Sequence, residues 1–248
     1  MDFLDILSSA TALFLDFDGT LVDIADQPHD VQVPHGLVQT LGSLNDSLGG
    51  AVAVISGRPI SQIDDFLRPL KLAAAGVHGA ERRSASGELT LLHAPALDVV
   101  EHAARKLAAS NAGLLVESKR GSLALHYRQA PELEALCLST MQDAVRESSG
   151  LTLLQGKMVV EAKPSGATKG GAIEQFLGEP PFAGRTPLFV GDDITDEAGF
   201  ASVQRLGGMG VKVGDGPTVA RQRIATPQLF RQQLQDAVVA RTAKAVSQ

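Results

Sequence analysis

ALFLDFDGT, residues 12–20, decides how the rest of the chain is read. Leu13, Phe14 and Leu15 make a short apolar run of the kind that forms a central parallel strand buried on both faces. Two acids close the run, Asp16 and Asp18, and Gly19 and Thr20 follow at once. In an extended chain, residues two apart point to the same side, so both carboxylates are expected to address one small volume at the strand's carboxyl end. Open α/β sheets bind their ligands there. Neighbouring buried carboxylates repel each other and are costly to desolvate, which a fold tolerates when a cation offsets the charge. The plainer alternative is a strand-to-turn junction, since Asp-Gly is a common turn pair.

Downstream, the leucines at 37, 41, 44 and 48 predict an amphipathic helix over 34–48, followed by an apolar strand over 51–55. That strand ends in Ser56-Gly57-Arg58-Pro59. Pro59 suits a first helical position, so a short helix over 60–67 opens beside the Ser56 hydroxyl, which makes a plausible phosphate cradle. A third strand, 72–77, leads into His78-Gly79. The alternation of strand and helix is the signature of a doubly wound parallel sheet.

From about Ser84 the pattern changes. A helix over 95–110, strands over 114–117 and 122–128, a helix over 131–147 with Leu133, Leu136, Thr140, Ala144 and Val145 near one face, and strands over 152–154 and 158–161 form an αββαββ block. Gln155-Gly156 reads as the turn between the last two strands. The expected organisation is a core over 1–83 and 164–248 with an inserted α+β cap domain over 84–163. Alternation resumes with helices over 170–177 and 195–203, strands over 187–190 and 211–213, and a terminal helix that Thr226-Pro227 starts.

The 187–190 strand ends in Gly191-Asp192-Asp193, with Asp196 three residues on. If it lies beside the first strand, Asp192 meets Asp16 and Asp18 in one crevice. Oxygen-only ligands select a hard cation, and few carboxylates plus a substrate phosphate suit Mg2+. Asp193 or Thr195 is expected to cap the next helix and Asp196 to hold the loop. Lys169, just before a helix, can reach the same crevice. The set then offers a carboxylate nucleophile in Asp16, a proton donor and acceptor in Asp18, and oxygen-holding groups in Ser56 and Lys169. Those are the parts that phosphoryl transfer needs.

Composition bounds the partners. The chain has 248 residues, 44% hydrophobic and 20% charged, with a net charge of −6. That acidic balance argues against nucleic acid, although Arg82-Arg83 and Lys119-Arg120 offer local basic clusters for a small phosphorylated ligand. No apolar run is long enough to span a bilayer, and the start has acids where a secretory signal needs basic residues. A cytoplasmic monomer acting on a small molecule is the expectation. The single cysteine, Cys137, excludes an internal disulfide and reads as a buried core thiol.

DFDGT, ISGR, the Lys-Gly helix entry and GDD-x-x-D occur in the order of the four motifs of the haloacid dehalogenase superfamily of phosphatases, which the chain resembles. The resemblance implies Asp16 as nucleophile, Asp18 as acid and base, and Asp192 as a magnesium ligand, with the backbone carbonyl of Asp18 also on the metal. GVHGAERR at 76–83, VESKRGSLALHYRQAP at 116–131, VVEAKPSGATKGGAI at 159–173 and VGDDITDEAGF with RLGGMGVKVG resemble the trehalose-6-phosphate phosphatases over nearly the whole chain. This closer likeness implies that the inserted block closes over a disaccharide phosphate. It also implies that Glu117, Lys119 and Glu161 contact sugar hydroxyls, with Gly57, Arg58 and His78 as further substrate-binding candidates. Related capped phosphatases of other sugar phosphates, and a catalytically silent binding domain, are the competing readings.

Overall fold

The computed structural model describes residues 7–25, 30–91, 96–119, 121–156 and 158–246. Its eight-stranded sheet runs in the order β12-β11-β10-β1-β2-β3-β4-β5. These strands are β1 (Thr11–Leu15), β2 (Val52–Ile55), β3 (Ala73–Gly76), β4 (Glu81–Arg83), β5 (Leu89–Leu91), β10 (Thr186–Gly191), β11 (Met209–Val213) and β12 (Gln222–Ile224). From β12 to β3 every pairing is parallel, and β4 joins antiparallel. Chain order runs outward from β1 to β2 and β3 on one side, and from β10 to β11 and β12 on the other. The direction of winding therefore reverses between β1 and β10. Such a reversal opens a crevice at the carboxyl ends of the two strands, which is where Asp16 and Asp192 stand.

The helices of this sheet are α1 (Leu37–Ser47), α2 (Ile60–Leu67), α5 (Lys169–Leu177), α6 (Glu197–Arg205) and α7 (Pro227–Val246). All five residues of β1 are buried, as the continuous apolar run requires of a central parallel strand. Phe14 anchors one side of the core: its ring centroid lies 5.4 Å from Phe182 and 6.0 Å from Phe176. Leu37, Leu41, Leu44 and Leu48 are buried at the predicted helical spacing.

A second sheet has the order β6-β7-β9-β8, with β6 (Leu115–Lys119), β7 (Ser122–His126), β8 (Leu151–Gly156) and β9 (Val159–Pro164) all antiparallel to their neighbours. With α3 (Asp98–Ser110) and α4 (Glu134–Arg146) it encloses its own core of Val100, Ala104, Leu123, Leu125, Cys137, Met141 and Val160. Two compact units result, Met1–Thr90 with Thr168–Gln248, and Leu91–Ala167. The expected 84–163 block and the observed unit differ at both ends. Ser84 stays with the first unit through a turn in which its N–H bonds to Glu88 O, and Ser165 N–H bonds to Gly150 O in the second. Among the described residues no helix is long and apolar enough to cross a membrane.

Several local expectations need correction. Gln155-Gly156 is not a turn: both residues lie in β8, opposite Val160 and Val159, and Met158 takes the left-handed conformation at φ 61. Leu136 is exposed, because α4 buries the stripe Cys137, Met141 and Ala144 instead. β4, β5 and β12 were not anticipated; each spans only three residues, too short for an apolar period to register. Pro95, placed in the third predicted helix, lies outside the described residues.

Candidate active site

The site begins with a backbone bond across the switch point, from Asp16 N–H to Val190 O at 2.9 Å, which sets the ends of β1 and β10 side by side. Lys169 opens α5, whose cap Thr168 accepts Gly171 N–H at 3.0 Å. From that position its buried ammonium donates to Asp16 Oδ1 at 2.6 Å and to Asp196 Oδ1 at 2.7 Å. Asp196 Oδ2 in turn accepts the N–H groups of Asp192 and Asp193, both at 3.0 Å. Asp193 caps the following turn, taking Thr195 N–H at 2.8 Å and its hydroxyl at 2.6 Å. The expected division of labour in this loop holds: Asp193 caps and Asp196 fixes the backbone.

One carboxylate oxygen from each of Asp16, Asp192 and Asp196 lies within 4.8 Å of the others. Burial pushes the Asp16 carboxyl up to about 7 against the pull of Lys169, and Asp192 up to about 6. Asp196, also buried and facing Asp16, rises to about 8. Asp16, Asp196 and Asp193 hold the Lys169 ammonium far above its ordinary value in spite of its burial. Asp192 Oδ1 is buried with no hydrogen-bond partner. Gly19 makes room for this carboxylate: it sits at φ 80, and a Cβ there would overlap Asp192. Crowded acids, an unsatisfied buried oxygen and oxygen-only donors fit a hard divalent cation.

Asp18 does not join this cluster through its carboxylate. β1 ends at Leu15, so the alternation that would aim Asp18 beside Asp16 has already stopped. Arg58 takes it instead, Nε donating to Oδ2 at 2.6 Å and Nη2 to Oδ1 at 2.7 Å. The three converging carboxylates are Asp16, Asp192 and Asp196.

Ser56, buried after β2, accepts Arg58 N–H at 3.1 Å through Oγ, which leaves its hydroxyl proton to donate. At the start of α2 the Ile60 N–H is taken by Glu81 Oε2 at 3.0 Å. The phosphate cradle is therefore narrower than its sequence suggests, since two of its amide donors already have protein acceptors. His78 lies over Gly57, where a Cβ would stand 2.8 Å from the imidazole Cε1. Its backbone and that of Val77 are left-handed at φ 55 and 48, held by bonds to Ser56 O and Arg58 O.

In the second unit, Glu117, Ala124, Glu161 and Leu154 stand in one row across the sheet. Strand alternation puts them on the face opposite Leu123 and Leu125, which belong to the helix-covered core. Ser122 Oγ donates to Glu161 Oε1 at 2.6 Å, and Glu117 Oε2 lies 2.9 Å from His126 Nε2. Lys119 is placed by its backbone opposite Ser122.

The trehalose-phosphatase family profile matches residues 14–230. The chain belongs to the trehalose-phosphatase family. It is 45% identical over 222 residues to the trehalose-6-phosphate phosphatase of Escherichia coli, covering 88% of this chain and 83% of that one. A probable trehalose-phosphate phosphatase of Sinorhizobium fredii is 43% identical over 219 residues, 86% of this chain and 82% of its own. The crystal structure of a trehalose-6-phosphate phosphatase related protein, 26% identical, superposes with a TM-score of 0.76 over 94% of this chain and 99% of that one. A C-terminal domain from C. albicans, 21% identical, shares the fold with a TM-score of 0.79 over 92% of each chain.

As a trehalose-phosphatase the chain is a phosphoric monoester hydrolase. Of its sequence-read residues, Asp16, Lys169 and Asp192 gather at the switch point, while Asp18, Ser56, Gly57, Arg58 and His78 form an adjoining loop cluster. Glu117, Lys119 and Glu161 belong to the second unit. Of the two basic clusters, Arg82 pairs with Glu179 at 2.5 Å and Arg83 with Asp64 at 2.6 Å, while Arg120 lies outside the described residues. Sequence reasoning missed Glu81 and Lys212. Lys212 is buried in β11, and its ammonium donates to the Asp192 carbonyl. A lysine inside the apolar run Val211-Lys212-Val213 was a usable signal; nothing near Glu81 points to its partner, which is 21 residues away.

Proposed function

We propose that this trehalose-phosphatase hydrolyses trehalose 6-phosphate to trehalose and phosphate, with Mg2+, through an aspartyl phosphate on Asp16. The substrate rests on the family and on the names of its close relatives. The chemistry rests on one observation, the Asp16, Asp192 and Asp196 cluster joined by Lys169.

Lys169 holds Oδ1 of Asp16, so Oδ2 is the oxygen that attacks phosphorus. The bond from phosphorus to the sugar oxygen breaks, and that oxygen takes a proton from Asp18. In the second half, Asp18 takes a proton from water as the water oxygen bonds to phosphorus, and the Asp16 carboxylate leaves. The Ser56 hydroxyl and the remaining Lys169 proton hold phosphoryl oxygens. Asp16, through Oδ1, Asp192 and the Asp18 carbonyl would hold the metal; Asp196 holds the loop, its Oδ2 accepting the Asp192 and Asp193 N–H groups. Mg2+ bound there would supply neutralisation of the phosphoryl charge. Glu117, Lys119 and Glu161 bind sugar hydroxyls, and Gly57 and His78 contact the substrate.

Phosphate release from trehalose 6-phosphate, measured with Mg2+ and with a chelator, tests this reading. Turnover in Mg2+ that disappears with chelator is expected. A preference for another sugar phosphate would reassign the substrate, and no release in either condition would overturn the reading.

A further inference from the structure

Asp18 lies three residues beyond the end of β1, in a turn held by a bridge to Val22 and next to Gly19 at φ 80. Its side chain is 35% exposed, yet it is gripped on both oxygens by Arg58, itself 11% exposed. The guanidinium is clamped in its turn. Its Cζ lies 5.1 Å from the Phe66 ring centroid and 6.0 Å from that of Phe17. The Arg58 main chain is pinned at both ends, its N–H on Ser56 Oγ at 3.1 Å and its carbonyl on Val77 N–H at 3.0 Å. An ordinary surface ion pair would leave a carboxylate free to swing. A planar fork seated on two aromatic rings gives it one direction.

The geometry points to Arg58 as the positioning residue for Asp18. This rests on the proposed role of Asp18 as proton donor and acceptor. In that role one carboxyl must face the sugar oxygen as its bond to phosphorus breaks, and later the water whose oxygen bonds to phosphorus. Both transfers need the proton-carrying oxygen at the same place, within hydrogen-bond reach of the reacting oxygen. When Asp18 is protonated, Arg58 keeps its grip through the unprotonated oxygen and the other oxygen carries the proton. Arg58 thus acts on the reaction through Asp18, rather than through the phosphoryl group or the sugar.

Three substrates separate these roles: trehalose 6-phosphate; glycerol 3-phosphate, which has an alcohol leaving group but no sugar; and p-nitrophenyl phosphate, whose leaving group departs without being protonated. For Arg58→Met, kcat/KM is expected to fall on the order of 10- to 100-fold, and equally, for the first two. For p-nitrophenyl phosphate it stays within about threefold. Equal loss on all three would make Arg58 a phosphoryl contact, loss on trehalose 6-phosphate alone a sugar contact, and no loss an idle residue; each overturns the inference. Arg58→Lys keeps the charge without the fork and carries the same comparison should the Met variant fail to fold. A wild-type protein inactive on all three would instead overturn the phosphatase reading.

Discussion

A carboxylic acid that folding pushes up makes stability fall as pH rises. Asp16 at about 7 and Asp196 at about 8 keep protons in the folded protein that the unfolded chain has lost above 3.8. Between roughly pH 4 and pH 8 the folded state therefore binds more protons than the unfolded state, and the metal-free protein loses stability across that window. Asp193, shifted the other way, adds a contribution that is lost only at more acidic pH. Calorimetry should show the metal-free Tm falling from pH 5 to pH 8.5, and Mg2+ raising Tm more at the higher pH; a flat profile would contradict the crowded-acid account. Asp16→Asn should cut turnover by at least about 1,000-fold, as loss of a nucleophile does. Gly19→Ala should displace Asp192 and raise the Mg2+ concentration needed for half-maximal activity, since its Cβ would occupy the carboxylate's place.

Single capping contacts hold the elements that carry the site. Glu81 Oε2 satisfies the Ile60 N–H that opens α2 and so steadies the turn of Ser56 and Arg58. Glu81→Ala would leave that buried donor unpaired, costing about 1–3 kcal/mol in denaturant unfolding. Thr168→Ala removes the cap that opens α5 beneath Lys169 and should cost about 1 kcal/mol. Apolar periodicity located α1 and β1 to within about three residues, and Pro59 marked the start of α2 to the residue, because burial and helix-start signals are local. It failed at β8, where Gln155 and Gly156 look like a turn. Their strand state comes from pairing with Val159 and Val160, which no local pattern records.

The molecule divides its labour between two separately built cores. One carries the acid cluster, and the other presents Glu117 and Glu161 on a sheet face away from its helices. Glu161→Ala should therefore raise KM for trehalose 6-phosphate by about 10-fold or more, as loss of a charged hydrogen bond to substrate does. It should leave p-nitrophenyl phosphate hydrolysis within about threefold. Equal loss on both substrates would place Glu161 in folding rather than in sugar recognition.

By itself the sequence determined the alternating core, the αββαββ insertion, the four phosphatase motifs and the family, because burial period and motif order are local properties of the chain. Only the tertiary structure decided that Asp196 rather than the Asp18 carboxylate completes the acid cluster, and that Asp18 belongs to Arg58. Those outcomes depend on where a strand stops and which side chain arrives from forty residues away. Distances of that kind are set by packing, which residue order does not encode position by position.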